Sequence, residues 1–147
     1  MPEPQIHRLK PGYESLGLVI DFLTQEPPFA RYAAGVLAAA VKYQLGENCH
    51  LALVEDGRLT GYLGWLMVTR TMGEAWIAGD LAEPRPVPHE RADAIALTVI
   101  RVARPQSRPL LIGPFRRAMG ERRIFYKRHY ASGRKRLGAL GVTAPWR

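Results

Sequence analysis

The stretch from His50 to Thr69, HLALVEDGRLTGYLGWLMVT, constrains this chain more than any other. Apolar residues alternate on both sides of Asp56-Gly57, and a period of two puts successive side chains on opposite faces of a strand. Asp-Gly between two such runs is the strongest short signal for a tight hairpin, because both central positions of that turn need positive φ. The return strand, Leu59–Thr69, is long, so its apolar faces have to be covered by helices from elsewhere in the chain.

Those helices are legible upstream. Leu16, Val19, Ile20 and Leu23 recur at i, i+3, i+4 and i+7, which predicts a short amphipathic helix over Gly12–Gln25. Glu26-Pro27-Pro28 breaks it, since Pro28 holds Pro27 out of helical geometry. The Ala-rich run Ala30–Gln44 resumes the helical period at Ala33, Val36, Leu37, Ala40 and Val41, with Gly46 as its stop.

Downstream, Met72-Gly73 reads as a second turn leading to a third strand, Glu74–Leu81, which completes an antiparallel meander. Pro84, Pro86 and Pro88 keep the next connection extended. His89–Arg104 predicts a helix with Ala92, Ile95, Ala96, Val99, Val102 and Ala103 on one face, and LLIG at 110–113 a short buried strand beside the meander. Beyond Phe115 the periodicity fades: Met119-Gly120 interrupts a basic helix, RIFYKRHY fits helix or strand, and ASGRKRLGAL reads as mobile. There are no repeats and no linker, so residues 1–147 are expected to form one domain with a basic C-terminal segment, 116–147. The order α-α-β-β-β-α-β, a meander sheet flanked by helices, matches the acetyltransferase-like (GNAT-like) α/β (α+β) plan.

The net charge of +8 is unevenly spread. From Arg101 onward there are 13 Lys/Arg against the single acid Glu121, a net +12, while the first 100 residues carry −4. Such asymmetry predicts an anionic partner: nucleic acid, anionic lipid or an acidic protein. Arg116, Arg117, Arg122, Arg123, Lys127 and Arg128, interleaved with Phe125, Tyr126 and Tyr130, are the residues expected to meet it. No apolar run reaches the ~18 residues of a membrane span, and the N-terminus lacks a secretory pattern. Cys49 is alone, which excludes a disulfide framework and a thiolate metal site. A cytoplasmic location without a metal is the expectation.

No phosphate-cradling Gly-rich motif with Lys-Ser/Thr is present, nor G-x-S-x-G, nor a His/Cys cluster at metal spacing. Four positions stand out instead. Asp80 closes the expected third strand on the face of Trp76, where a carboxylate can orient a histidine, hold an ammonium, or cap the strand exit. His50, on the strand before the hairpin turn, is a base or a buried residue bonded to backbone, and His89 is the second such candidate. Gly64 permits close approach by a neighbour or an extended ligand, with Tyr62 alongside. Cys49 reads as a buried strand cysteine. A coenzyme A enzyme of the GNAT-like plan would carry a Gly-rich turn between the Asp80 strand and the next helix, its N–H groups holding pyrophosphate. Here that segment is LAEPRPVPHERA, with no glycine and three prolines.

From Leu16 to Val68 the chain resembles the toxin-activating lysine acyltransferases of RTX haemolysin operons, the HlyC-like family. LGLVIDFLTQEPPF corresponds to that family's first helix and turn, and NCHLALVEDGRLTGYLGW to its hairpin, with Asn48, Leu53, Asp56, Tyr62 and Trp65 matching. WIAGDLAEP resembles the strand bearing the family's essential aspartate, with Asp80 in its place. The family's catalytic histidine falls where this chain has Phe29. The resemblance implies an acetyltransferase-like fold that binds no cofactor of its own. It implies acyl-acyl carrier protein as donor and a lysine amine of a protein, possibly RTX-type, as acceptor. Tyr62, Gly64, Trp76 and Phe29 would line the substrate site, with Asp80 and His50 catalytic and the basic cluster docking the carrier. The competing reading is a catalytically degenerate binding module that offers its basic C-terminal surface to nucleic acid or an acidic protein. Either leaves room for a homodimer.

Overall fold

The Asp56-Gly57 turn forms with φ of 51° and 72°, and it joins β2 (His50–Glu55) to β3 (Arg58–Val68). The structure, a computed structural model, describes residues 3–129 and 135–140, with side chains as far as Lys127. Pairing runs from Glu55↔Arg58 to His50↔Gly64, with a bulge between Leu53 and Val54. Thr60 is the extra residue. Its hydroxyl donates to Leu53 O at 3.3 Å, and its own carbonyl accepts the Ala103 N–H at 2.8 Å.

A six-stranded sheet is laid out in chain order, with β1 (Gln5–His7), β4 (Ala94–Val102), β5 (Arg123–His129) and β6 (Lys135–Leu140) completing it. β1 pairs antiparallel to β2, and β6 antiparallel to β5. β4 and β5 are parallel, with Ala94–Leu97 opposite Arg123–Tyr126. A parallel pair needs a crossover, supplied by α4 (Arg108–Met119). Upstream lie α1 (Tyr13–Leu23) and α2 (Ala34–Gly46), separated by a single 3-10 turn at Phe29–Arg31. No helix among the described residues is long and apolar enough to cross a membrane.

Three expected elements are corrected. Glu74–Leu81 is not a strand: Arg70–Ala78 forms a helix, α3. Thr69 caps it by accepting the Met72 N–H at 3.2 Å, Asp93 Oδ1 accepts the Arg70 N–H at 2.7 Å, and Gly79 closes it at φ 86°. His89–Arg104 is not a helix but a 3-10 turn, His89–Arg91, followed by β4. Ala94, Ile95, Ala96 and Leu97 are all buried, so this central strand lost its period of two, and its alanines imitate a helical face. LLIG at 110–113 lies inside α4, where Leu111, Ile112, Phe115 and Met119 form the buried face. A four-residue apolar run fits either element.

The chain divides into two units, Met1–Gly64 with Val99–Phe115, and Trp65–Thr98 with Arg116–Arg147. In the first, Val19, Phe22, Leu23, Phe29, Leu37, Val41, Tyr62 and Val99 form a buried cluster. In the second, α3 packs on β5 through Gly73, where a Cβ would stand 2.2 Å from the Phe125 ring. The proline-rich connection is held there as well. Pro84, Pro86 and Pro88 have no N–H, and the intervening residues supply the donors, Arg85 to Met72 Sδ at 3.2 Å and Val87 to Met67 O at 2.9 Å.

Two helical glycines therefore respond oppositely to alanine. Gly17 in α1 faces open space, and Gly17→Ala raises stability by about 0.5–1 kcal/mol. Gly73→Ala lowers it by about 1–3 kcal/mol through overpacking against Phe125. Denaturant unfolding at constant m-value reads both.

Candidate functional site

The sequence candidates are distributed over both units. In the first unit His50 opens β2 and is fully buried. Its Nε2 accepts the Leu9 N–H at 2.8 Å, which puts the ring proton on Nδ1, and Nδ1 donates to Gln44 O at 3.0 Å. Both nitrogens are thus engaged by backbone, and burial pushes the imidazole below its usual range. Its ring stacks on Tyr62 at 5.9 Å between centroids, and the Tyr62 hydroxyl donates to Gln44 Oε1 at 2.8 Å. Burial pushes that phenol upward. Gln44 fills the space over Gly64, where a Cβ would lie 2.1 Å from Oε1. Phe29 is buried, with its ring edge-on to Tyr32 at 5.5 Å. Cys49 is buried too, its thiol pushed up to about 11 by burial.

In the second unit Asp80 lies beyond the C-terminus of α3, not on a strand. It is exposed, and its N–H bonds Ala75 O at 2.9 Å as part of the helix stop. Trp76, on α3, is buried with Lys127 Nζ 5.0 Å from its ring centroid. Arg123 lies over Phe125 at 5.5 Å. Arg117 and Arg122 are exposed and Arg116 is half-buried. The Arg128 side chain is outside the described residues. Among those residues no group of three or more His, Cys, Asp or Glu is placed to hold a metal.

The segment LAEPRPVPHERA joins α3 to β4, so it is not a strand-to-helix turn. That turn is Ala103–Ser107, between β4 and α4. The Ser107 N–H goes to Arg104 O, the Arg108 N–H to Pro105 O and Pro109 has none, so of the first-turn donors Leu110 remains. Arg104 and Arg108 flank the turn, and Gln106 sits within it. Arg104 is half-exposed and paired with Glu55. A helix start with cationic side chains attracts anions, phosphate above all. Arg104, Gln106 and Arg108 in sequence were the available signal, masked by reading 110–113 as a strand.

No family model matches the sequence, and no curated protein matches it. Among solved structures the chain is similar to the loading GNATL domain of CurA from Lyngbya majuscula. The TM-score is 0.62 at 8% identity, over 86% of this chain and 65% of that one. It is also similar to the GphF GNAT-like decarboxylase in complex with isobutyryl-CoA. There the TM-score is 0.64 at 17% identity, over 86% of this chain and 67% of that one. The fold is GNAT-like. This chain thus spans about two thirds of the length of either structure. The toxin-activating acyltransferases are not among these findings, so the fold implied by that resemblance stands and family membership is not shown.

The His50 arrangement has a pH consequence. Its folded pKa lies below the unfolded value of about 6.5, so as pH falls the unfolded chain takes the proton first. This contribution to stability is complete above that value. Below it, stability is lost at up to about 1.4 kcal/mol per pH unit until the folded pKa is reached. Unfolding at pH 7 and pH 5 should show this slope, and His50→Gln should remove it.

Proposed function

We propose that this chain is an acyltransferase that takes its acyl group from a phosphopantetheine thioester carried by acyl carrier protein and delivers it to a protein lysine amine. The observation that carries the donor half is the β4–α4 turn, a helix start flanked by Arg104 and Arg108 in a GNAT-like fold. A related fold is held in complex with isobutyryl-CoA, whose pantetheine arm is the chemistry a carrier protein also presents. In this reading the turn takes the phosphate end of the arm. The exposed Arg117 and Arg122, with Arg116, Arg123, Lys127 and Arg128, favour an acidic carrier over coenzyme A alone.

The amine attacks the thioester carbonyl, the C–S bond breaks, and the carrier leaves as its thiol with the proton that the amine gives up. Only the neutral amine is nucleophilic. Asp80 is the carboxylate proposed to hold the incoming ammonium. His50 is set aside as base because both its nitrogens are engaged.

Donor and carrier roles separate in one assay. Arg104→Glu with Arg108→Glu should raise KM at least about tenfold for acyl-carrier and acyl-coenzyme A donors alike, a loss of roughly 1.4 kcal/mol or more. Arg117→Glu with Arg122→Glu should raise it for the carrier only. No transfer from either donor to any lysine acceptor, with Asp80→Asn indistinguishable from the parent, would sink the proposal.

The pH profile tests the absence of a histidine base. Log kcat/KM should climb with a slope near one from about pH 7 to 9, following the acceptor lysine toward its pKa of about 10.4. A plateau beginning near pH 7 would show a tuned base at work.

A further inference from the structure

Arg101 carries a charge that acyl transfer does not use. Near the end of β4, Val102 turns toward Leu111 and Gly61, while Arg101 turns the other way, onto α1. Its guanidinium lies over the Phe22 ring, 4.2 Å from the centroid, and the side chain is only 11% exposed. Nε and Nη1 are buried and meet no acceptor among the described residues. The nearest anion is Glu26, whose Oε1 stands 3.6 Å from Nη2, beyond hydrogen-bond distance, on a side chain that is 67% exposed. Buried donors are ordinarily satisfied, and a leucine or methionine would cover Phe22 without that penalty.

We infer that Arg101 anchors a carboxylate-binding site, with Glu26 as the side chain that the ligand displaces. Either planar fork of a guanidinium, Nε with Nη2 or Nη1 with Nη2, includes Nη2. Glu26 stands at this shared nitrogen, so a bidentate ligand takes its place and does not join it. The exchange favours a monoanion. A carboxylate replaces one negative charge with one, whereas a phosphate dianion would add a charge beside an apolar ring and a single cation. Glu26 is exposed enough to move into water without losing a hydrogen bond to Arg101. The site is independent of the acyl-transfer proposal and stands or falls without it.

Propionate is the probe, measured against chloride at matched ionic strength by thermal unfolding of the intact chain. At a concentration roughly ten times its Kd, propionate should give a saturable rise of roughly 3–5 °C that chloride does not give. Arg101→Met, which keeps the stem over Phe22, should abolish the rise. Arg101→Lys, which keeps the charge but not the fork, should lose most of it. Glu26→Gln should lower the propionate concentration for half effect several-fold, because the competing charge is gone. The inference is overturned by no rise in the parent or by an equal rise in Arg101→Met. Should that variant not fold, a full rise in Arg101→Lys overturns it. A half-effect concentration in Glu26→Gln that stays level or increases does the same. A larger rise with inorganic phosphate than with propionate overturns the assignment to a carboxylate.

Discussion

Much of the first unit depends on how closely Gln44 lies against Gly64. The glycine has no Cβ, so the Gln44 side chain rests directly on β3 and reaches the Tyr62 hydroxyl. The same residue's carbonyl collects the Cys49 N–H at 2.8 Å and the His50 ring proton, which ends α2 and fixes where β2 begins. Each polar atom in this buried group has a partner, so the network does not incur the penalty of unpaired groups at low dielectric. Tyr62 also belongs to the apolar cluster with Val19, Phe22, Leu23 and Leu37. One ring therefore ties the polar network to the hydrophobic core. Helix α2, the hairpin register and the seat of α1 all follow from this approach.

The hairpin and α1 were legible because their signals are local. Asp56-Gly57 allows few backbone geometries, and an amphipathic helix declares its own period. What misled was burial on both sides. β4 is apolar and buried on both faces over Ala94–Leu97, so period two disappears there. α3 failed for a different reason. Its caps, Thr69 and Gly79, are in the sequence, but Gly73 in its middle resembles a turn until Phe125, some fifty residues on, is known to lie against it. β5 fits helix or strand by sequence, and β6 lies in a segment that reads as mobile, because pairing decides both and pairing is non-local.

The place of the site depends on these elements. With Glu74–Leu81 as a strand, Asp80 would be a strand-end carboxylate and the following loop the place for phosphate donors. With α3 a helix, Asp80 is part of a helix stop, and the strand-to-helix turn moves to Ala103–Ser107. His50 shows the opposite case. Its residue type was suggestive, but the two backbone groups that occupy it, Leu9 N–H and Gln44 O, lie on segments whose meeting no local pattern announces. The charge asymmetry was read correctly as composition. Which of its members are exposed, Arg117 and Arg122, and which lie on aromatic rings, Lys127 and Arg123, required the structure.

Cys49 is closed to redox chemistry. Thiol–disulfide exchange requires a thiolate that an oxidised partner can approach, and here the sulfur is buried, with its ionisation pushed up to about 11. With one cysteine in the sequence, no disulfide can form within it. In the native fold this thiol is therefore closed to disulfide exchange. A cysteine introduced on the surface would be the reactive one, so a spectroscopic label can be attached there while Cys49 stays in place.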